Sequence, residues 1–411
     1  MSNTSVIPHL FRTEYSKMCA VLYRSFGIEH FEIVEDLVSD AFLKASEVWK
    51  TKGVPENPVG WLYTVARNNA RDHFRKSNLF KSTISDDLKR NTFEGEDFEL
   101  DLSEKNIHDS QLAMIFVACH PCNTPETQIA LALNLLCGFG ANEIASAFLT
   151  NREVIYKRLQ RGKTNLKNAQ IEIKQPTLSE IEDRLPAVFL TLYLLYNEGY
   201  YSAAQDKSLR KDLCIEAMRL CLLLVENDLT NTSQTNALLS LMCFQSSRFD
   251  ARVNENGEVI LYGDQDDSLW DKELIGRGVY YLKQASGGPD FSKYYLEAAI
   301  ACWHTIKEDS DQKWENILTL YNKLLIVEYS PMAALNRTYA LAKARGNNIA
   351  ITEAEKLNLK DHHLYHMLLG KLYEDSNQDI ALKHYHQALE LTKSSADQKQ
   401  ILKNIQRLKE V

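Results

Sequence analysis

Proline and glycine are scarce in this chain, nine and sixteen in 411 residues. These are the residues that break helices and build tight strand connections. Runs that alternate apolar and polar residues are equally rare, so a sheet-based fold is not expected. Long apolar runs are missing too. The longest, such as residues 220–225, fall far short of the ~20 residues that a membrane-spanning helix needs. Residues 1–10 lack a basic stretch followed by an apolar core, so no secretory leader is expected and the chain is placed in the cytoplasm. Neither GxxxxGK nor GxGxxG occurs, which removes the usual phosphate-cradling loops. No catalytic residue and no cofactor is expected.

Cysteine is present but scattered, at 19, 119, 122, 137, 214, 221, 243 and 302. Most lie among apolar neighbours at helical spacing and read as buried reduced thiols, not a disulfide frame. Net charge is −8, from 47 basic and 55 acidic residues. That excludes a uniformly basic nucleic-acid coat but leaves room for local basic surfaces.

What is plentiful is helical periodicity. Apolar residues recur at three and four along nearly the whole chain, so the fold class is all-α. Four stretches separate by composition. Residues 8–81 form several amphipathic helices, with the turn Lys52-Gly-Val-Pro-Glu-Asn-Pro58 between two of them. Residues 82–106 form an acidic linker: eight acids face three bases between 82 and 105, and charge of one sign favours an extended chain. Helical patterning returns over 107–173, breaks at Lys174-Gln-Pro176, and fills 176–411. In the last quarter Leu335, Tyr339, Ala354 and Leu357 recur as Leu369, Tyr373, Ala388 and Leu391, a period of 34 residues. That is the period of tetratricopeptide helix pairs, in which a small residue lets two helices approach closely.

Two segments carry possible chemistry. From Trp61, residues Leu62, Val65, Ala66, Ala70 and Phe74 form an inward stripe, while Arg67, Arg71 and Arg75 are spaced by four beside Asn68 and Lys76. A solvated charged face explains this. So does a surface that holds nucleic-acid backbone and unstacked bases. Downstream, a short helix over 142–149 precedes Thr150-Asn-Arg-Glu153, whose Thr150 and Glu153 have capping-box spacing. The helix so begun carries Arg152, Lys157, Arg158, Arg161, Lys163 and Lys167 against one acid, Glu153. Helix, tight turn, basic helix is the helix-turn-helix pattern.

Taken together these segments resemble a known family. Glu35-Asp-Leu-Val-Ser-Asp-Ala-Phe-Leu-Lys-Ala45 and Gly60-Trp-Leu-Tyr-Thr-Val-Ala-Arg-Asn-Asn-Ala-Arg-Asp-His-Phe-Arg75 resemble region 2 of sigma-70-type transcription initiation factors, the extracytoplasmic-function class in particular. Glu143-Ile-Ala-Ser-Ala-Phe-Leu149 through Lys157-Arg-Leu-Gln-Arg161 resembles their region 4. The resemblance implies a region 2 bundle over 8–81 that grips the clamp of core RNA polymerase and captures a flipped base of the −10 element. It implies a region 4 helix-turn-helix over 107–173 that binds the −35 element and the polymerase flap. Carried over, the clamp-facing residues are Glu35, Asp36 and Asp40. The −10 residues are Trp61, Arg67, Asn68, Arg71 and Arg75, and the −35 residues are Arg152, Tyr156, Lys157, Arg158 and Arg161. The usual small or Gly-Pro turn of the second motif is Leu149-Thr-Asn151 here.

The motifs Leu192-Tyr-Leu-Leu-Tyr-Asn-Glu-Gly-Tyr200, Asp212-Leu-Cys-Ile-Glu-Ala-Met-Arg-Leu220 and Asp264-Gln-Asp-Asp-Ser-Leu-Trp-Asp271 look like one sigma-factor group with a long helical extension. Asn197, Glu198, Asp264 and Asp266 suit either a ligand or protein pocket, or helix caps and inter-helix hydrogen bonds. Cys119-His-Pro-Cys122 with Cys137 lacks the four ligands of a structural metal site. The histidines at 362, 363, 366, 384 and 386 lack HExxH. The expected partners are core RNA polymerase, promoter DNA and a protein or small-molecule ligand of residues 176–411, which read as a tetratricopeptide-like regulatory domain. The alternatives are a stand-alone helix-turn-helix regulator, or an enzyme domain over 176–411 fused to a DNA-binding head.

Overall fold

The computed structural model describes residues 3–84, 101, 103–201, 207–252, 260, 262–287, 291–392 and 395–410. Most of the acidic linker, residues 85–100 and 102, lies outside them. Among the described residues there are eighteen α-helices and no strand, as the periodicity leads one to expect. No helix among them is long and apolar enough to cross a membrane. The chain divides into two compact units, Met1–Thr230 and Asn231–Val411.

The first unit holds α1 (Asn3–Phe26), α2 (Phe31–Lys52), α3 (Pro58–Ile84), α4 (Glu104–Ala118), α5 (Pro125–Leu131), α6 (Ala141–Ala147), α7 (Arg152–Asn168), α8 (Leu178–Tyr201) and α9 (Lys207–Val225). Helices α1, α2 and α3 pack together, and α1 also packs on α4. Their shared core is apolar at the predicted stripe: Leu62, Val65, Ala66 and Ala70 are buried, against Val34, Val38 and Phe42 of α2 and Val21 and Leu22 of α1. Gly53 ends α2 at φ +81°, a left-handed conformation that costs glycine little.

Composition places a break at 174–176, whereas the compact units part at 230/231. The reason is that α8 and α9 are built onto the helices before them. The Arg184 guanidinium donates to the Phe116 carbonyl at the end of α4 and lies 5.6 Å over the Phe116 ring. A cation there meets the negative end of the helix. Fully buried Thr191 donates to Gln128 Oε1 at 3.1 Å, and Arg219 donates to the Leu136 carbonyl at 2.7 Å.

The second unit holds α10 (Ser233–Ser246), α11 (Lys272–Ala285), α12 (Lys293–Trp303), α13 (Asp311–Val327), α14 (Pro331–Arg345), α15 (Asn347–Leu357), α16 (His363–Tyr373), α17 (Gln378–Leu391) and α18 (Ser395–Lys409). Successive helices pack as neighbours, α13 on α14 and α14 on α15 among them, over a core that includes Leu296, Trp314, Ile317, Leu335 and Leu369. Of the four residue pairs at the 34-residue spacing, Ala354 and Ala388 are both 0% exposed and Leu335 and Leu369 are both buried, whereas Tyr339 is 41% exposed and Leu391 37%. A side chain at Gly370 would lie 2.8 Å from the Tyr385 ring, so α16 and α17 approach as closely as a glycine permits.

Candidate nucleic-acid interface

Helix α3 sorts its residues by the 3.6 period. Trp61, Asn68 and Arg75 recur every seven residues, Arg71 lies between the last two on the same side, and Arg67 lies at its edge. Arg71 and Arg75 are exposed; Arg67, Asn68 and Trp61 are half-buried. Trp61 is held edge-on against Trp49 of α2, with ring centroids 5.4 Å apart, which fixes its orientation at the start of the helix. Phe74, seven residues after Arg67 and so at the same edge, stacks on Phe26 at 3.9 Å and anchors the helix to α1. The structure therefore brings Trp61, Arg67, Asn68, Arg71 and Arg75 onto one side of a helix whose opposite side is core.

The second motif also forms, with two corrections. The first helix is α6, ending at Ala147, not at 149. The second begins at Arg152 with Asn151, not Thr150, as its cap: Asn151 Oδ1 accepts from the Glu153 amide at 2.7 Å. Both residue types cap well. The choice follows from the turn, in which Leu149 takes φ +48° and the Thr150 amide bonds back to the Ala145 carbonyl. Leu149 is 67% exposed, so the left-handed conformation is held by backbone bonds and not by burial of its side chain.

On α7, Arg152, Tyr156, Lys157 and Arg161 are exposed and Arg158 is half-buried, while Ile155, Leu159, Gly162 and Leu166 face inward. A side chain at Gly162 would meet Thr127 at 2.7 Å and Leu131 at 3.1 Å, so α7 sits directly on α5. Asn123 donates to the Gly162 carbonyl at 3.2 Å and pins the contact.

The acidic helix α2 gives a mixed result. Asp36 and Asp40 are exposed on one face. Glu35 instead faces the chain itself, accepting from the Tyr23 hydroxyl at 3.1 Å and from Lys163 Nζ of α7 at 2.5 Å. Burial, with Cys19 and Glu35 adding to it, pushes the Tyr23 hydroxyl well up, so it stays a donor. Two residues of this region stand out only in the structure. In the sequence Lys163 is one more base of its helix. Leu43, 60% exposed, falls on the face of Asp36 and Asp40. An apolar residue breaking the polar side of an amphipathic helix was the available signal for Leu43. Lys163 had none, since its partner lies 128 residues away.

Among the extension's polar motif residues, Asp264 is exposed and Asp266 caps. Asp266 accepts from the Ser268 amide at 2.9 Å and Asp271 from the Leu274 amide at 3.0 Å, starting α11. Lys307 donates to the Gly263 carbonyl at 3.1 Å and the Gln265 carbonyl at 2.7 Å. Lys313, 2% exposed, donates to the Tyr262 hydroxyl at 2.8 Å and the Ile306 carbonyl at 2.5 Å. Half-buried Glu198 has its carboxyl raised by burial. Burial pushes the Cys119 thiol up to about 12, which keeps it out of thiolate chemistry. His362 caps α16, and His366 Nδ1 meets His384 Nδ1 at 3.0 Å. Among the described residues no three His, Cys, Asp or Glu side chains converge as a metal site.

Comparison with known proteins adds three findings. The family model for sigma-70 region 2 matches residues 10–79, the span that contains α2 and most of α3. A family of unknown function (DUF6596) matches residues 184–286, which run across the boundary between the two compact units. An uncharacterized protein of Rhizobium meliloti (strain 1021), R00370, is 31% identical over 350 residues, covering 84% of this chain and 82% of that protein. No solved structure matches.

Proposed function

Because this chain belongs to one family with the Rhizobium meliloti protein and carries sigma-70 region 2 near its N-terminus, we propose that it is an alternative sigma factor of the extracytoplasmic-function class. In this reading it performs no chemistry of its own. It docks on core RNA polymerase and directs it to promoters. The observation that carries the proposal is the outer side of α3, where Trp61, Asn68, Arg71 and Arg75 align inside the matched span. Aromatic, amide and guanidinium groups along one face suit an unstacked single strand: bases stack on the ring, edges bond the amide, phosphates meet the cations.

The remaining roles follow from placement. Asp36 and Asp40, with exposed Leu43 beside them, form an acidic face with an apolar edge for the polymerase clamp, and Glu35 of the same helix contributes from its inner side. Arg152, Tyr156, Lys157, Arg158 and Arg161 of α7 present the −35 contacts, mainly to phosphate and major-groove edges. The acidic linker lies along the nucleic-acid path of polymerase, where like charge keeps DNA off the free factor. The helical pairs of the second unit form a tetratricopeptide-like module that controls activity.

Run-off transcription with core polymerase and the full chain tests the reading. Asn68→Ala is expected to lower promoter opening about tenfold, in line with the ~1–3 kcal/mol of a base contact, while polymerase binding is retained. A chain that binds the promoter duplex equally well without polymerase is instead a self-sufficient regulator. An Asn68→Ala chain that opens promoters normally removes α3 from the −10 role.

A further inference from the structure

Helices α12 and α13 pack side by side in the second unit, and a cleft of about 310 Å³ opens between them. One wall is aromatic: Phe291, just before α12, then Tyr295 and Trp303 of α12 itself. Tyr295 and Trp303 lie about two turns apart on one face, and the Tyr295 ring sits 5.0 Å from that of Phe291. The other wall comes from α13, where Asn316, Leu320 and Lys323 recur at four and three. Rings that line a cleft instead of filling a core keep apolar surface in water, and Phe291 is 51% exposed.

The polar groups of this cleft are left over from the protein's own contacts. Among the described residues of α12, α13 and α14, Lys323 is the cation without a carboxylate or carbonyl partner. Lys293 holds Glu328, Arg337 holds Glu353, Lys343 holds Asp309, Arg345 holds Glu315, and Lys313 takes backbone carbonyls. The Lys323 ammonium instead rests 5.0 Å from the centre of the Phe291 ring, a contact that uses none of its N–H donors. Asn316 accepts from Gln312 at 3.4 Å through its oxygen and keeps its amide donors. The Thr319 hydroxyl, also in the lining, is not turned onto the carbonyl one turn back, as those of Thr338 and Thr352 are. A few convergent donors in an apolar cleft are the pattern of a small-molecule site.

We propose that the cleft between α12 and α13 binds a small aromatic carboxylate: its flat ring lies among Phe291, Tyr295 and Trp303, and its carboxylate takes the ammonium of Lys323. Size and charge select this class. A volume of about 310 Å³ is at the small end of ligand pockets. Aromatic walls favour a ring, which pairs with them offset or edge-on. One unpaired cation balances one negative charge, and Glu328, the acid nearest to it in sequence, is already held by Lys293. A phosphate ester calls for a second cation or an arginine fork, and the lining offers neither. The site lies wholly within the second unit and goes beyond the sigma-factor reading without resting on it.

Saturation-transfer NMR on the full chain, titrated with indole-3-acetate, tests the site. Saturable binding with a Kd of about 1 mM or tighter is expected, the range open to a ligand of that size. Indole-3-ethanol keeps the ring and lacks the charge, and should bind about tenfold more weakly, the scale of a charge-assisted hydrogen bond. Lys323→Met should lower affinity for the acid about tenfold and leave that for the alcohol unchanged, whereas Lys323→Arg should keep the preference for the acid. Thr319→Phe places a ring in the cleft and should abolish binding of both. Lys323 and Thr319 are exposed, so neither variant disturbs the core, and thermal unfolding checks this. If neither indole-3-acetate nor phenylacetate binds saturably at that level, the proposal is overturned. Equal affinity of wild type and Lys323→Met for the acid overturns it as well, because the carboxylate then sits elsewhere. An acidic peptide that binds through Lys323 while the small acids do not makes the cleft a protein-docking groove, and that result also sinks it.

Discussion

Positive charge is used in two opposite ways, and the outward helix faces of the first compact unit contrast with one loop of the second. In the first, Arg71 and Arg75 of α3 and Arg152, Lys157 and Arg161 of α7 stand exposed above apolar cores they do nothing to build. In the second, Lys307 and Lys313 reach inward and satisfy the carbonyls of an irregular stretch that no helix can satisfy. A residue's charge thus says little about its task until its partners are known. Outward cations wait for a polyanion. Inward ones replace missing secondary structure, because buried carbonyls need a donor from somewhere.

The largest expected effect lies on the inward side. Lys313→Met leaves the Tyr262 hydroxyl without its donor and removes the bonds to the Ile306 and Glu308 carbonyls. Hydrogen bonds to a charged group contribute about 1.5–3 kcal/mol each and are not additive, so a loss of about 3 kcal/mol is expected. Urea unfolding followed by the fluorescence of buried Trp270 and Trp314 measures it. A loss below about 1 kcal/mol would mean that the ammonium is a bystander.

Next comes acid sensitivity. His304 lies beside the Tyr262 and Trp314 rings, with its Nδ1 buried and unpartnered. Burial, then the charges of Arg248 and Lys313, lower its pKa to about 3. The unfolded chain takes up a proton below about 6.5 and the folded one does not, so stability falls as pH drops from about 6.5 towards 3. The limiting slope is about 1.4 kcal/mol per pH unit. His304→Phe should be less acid-sensitive than wild type by that slope between pH 4 and 6; parallel curves would show that the histidine is not buried neutral.

Smaller effects belong to the first unit. Leu149→Gly relieves a left-handed leucine, a strain of roughly 1–2 kcal/mol, against a glycine entropy cost of about 0.5–1 kcal/mol. A net gain of about 0.5 kcal/mol in thermal unfolding is expected. Smallest is the effect of Arg71→Ala with Lys157→Ala on stability, within about 0.5 kcal/mol, although promoter opening should fall. A large loss of stability there would erase the contrast between the units.

Local patterns carried much of this structure. The inward stripe of α3 and the equivalence of Ala354 with Ala388 could be read because helix period and repeat period are both properties of the sequence alone. The cap of α7 was misplaced by one residue since Thr150 and Asn151 are both competent caps, and only the backbone of Leu149 decides between them. The sequence leaves Asp264 and Asp266 open between a pocket and caps, with caps the better-supported reading because buried polar groups usually pair internally. Asp266 and Asp271 proved to be caps because their nearest donors are the amides two and three residues ahead. The inward turn of Glu35 was not legible, since its partner is set by how α7 lies on α5.

Arg184 and Arg219 have a consequence for how this chain can be taken apart. Each delivers a guanidinium to a backbone carbonyl in an earlier helix segment, 68 and 83 residues upstream. A cut at 175 would therefore be a wound rather than a seam, leaving Phe116 and Leu136 with stranded carbonyls and an uncovered apolar floor. Chimeras and truncations joined at Thr230 keep both donors. The segment shared with the family of unknown function, 184–286, crosses that point. A gene fragment drawn to match it would carry the end of one structural unit and the beginning of another, and neither would arrive whole.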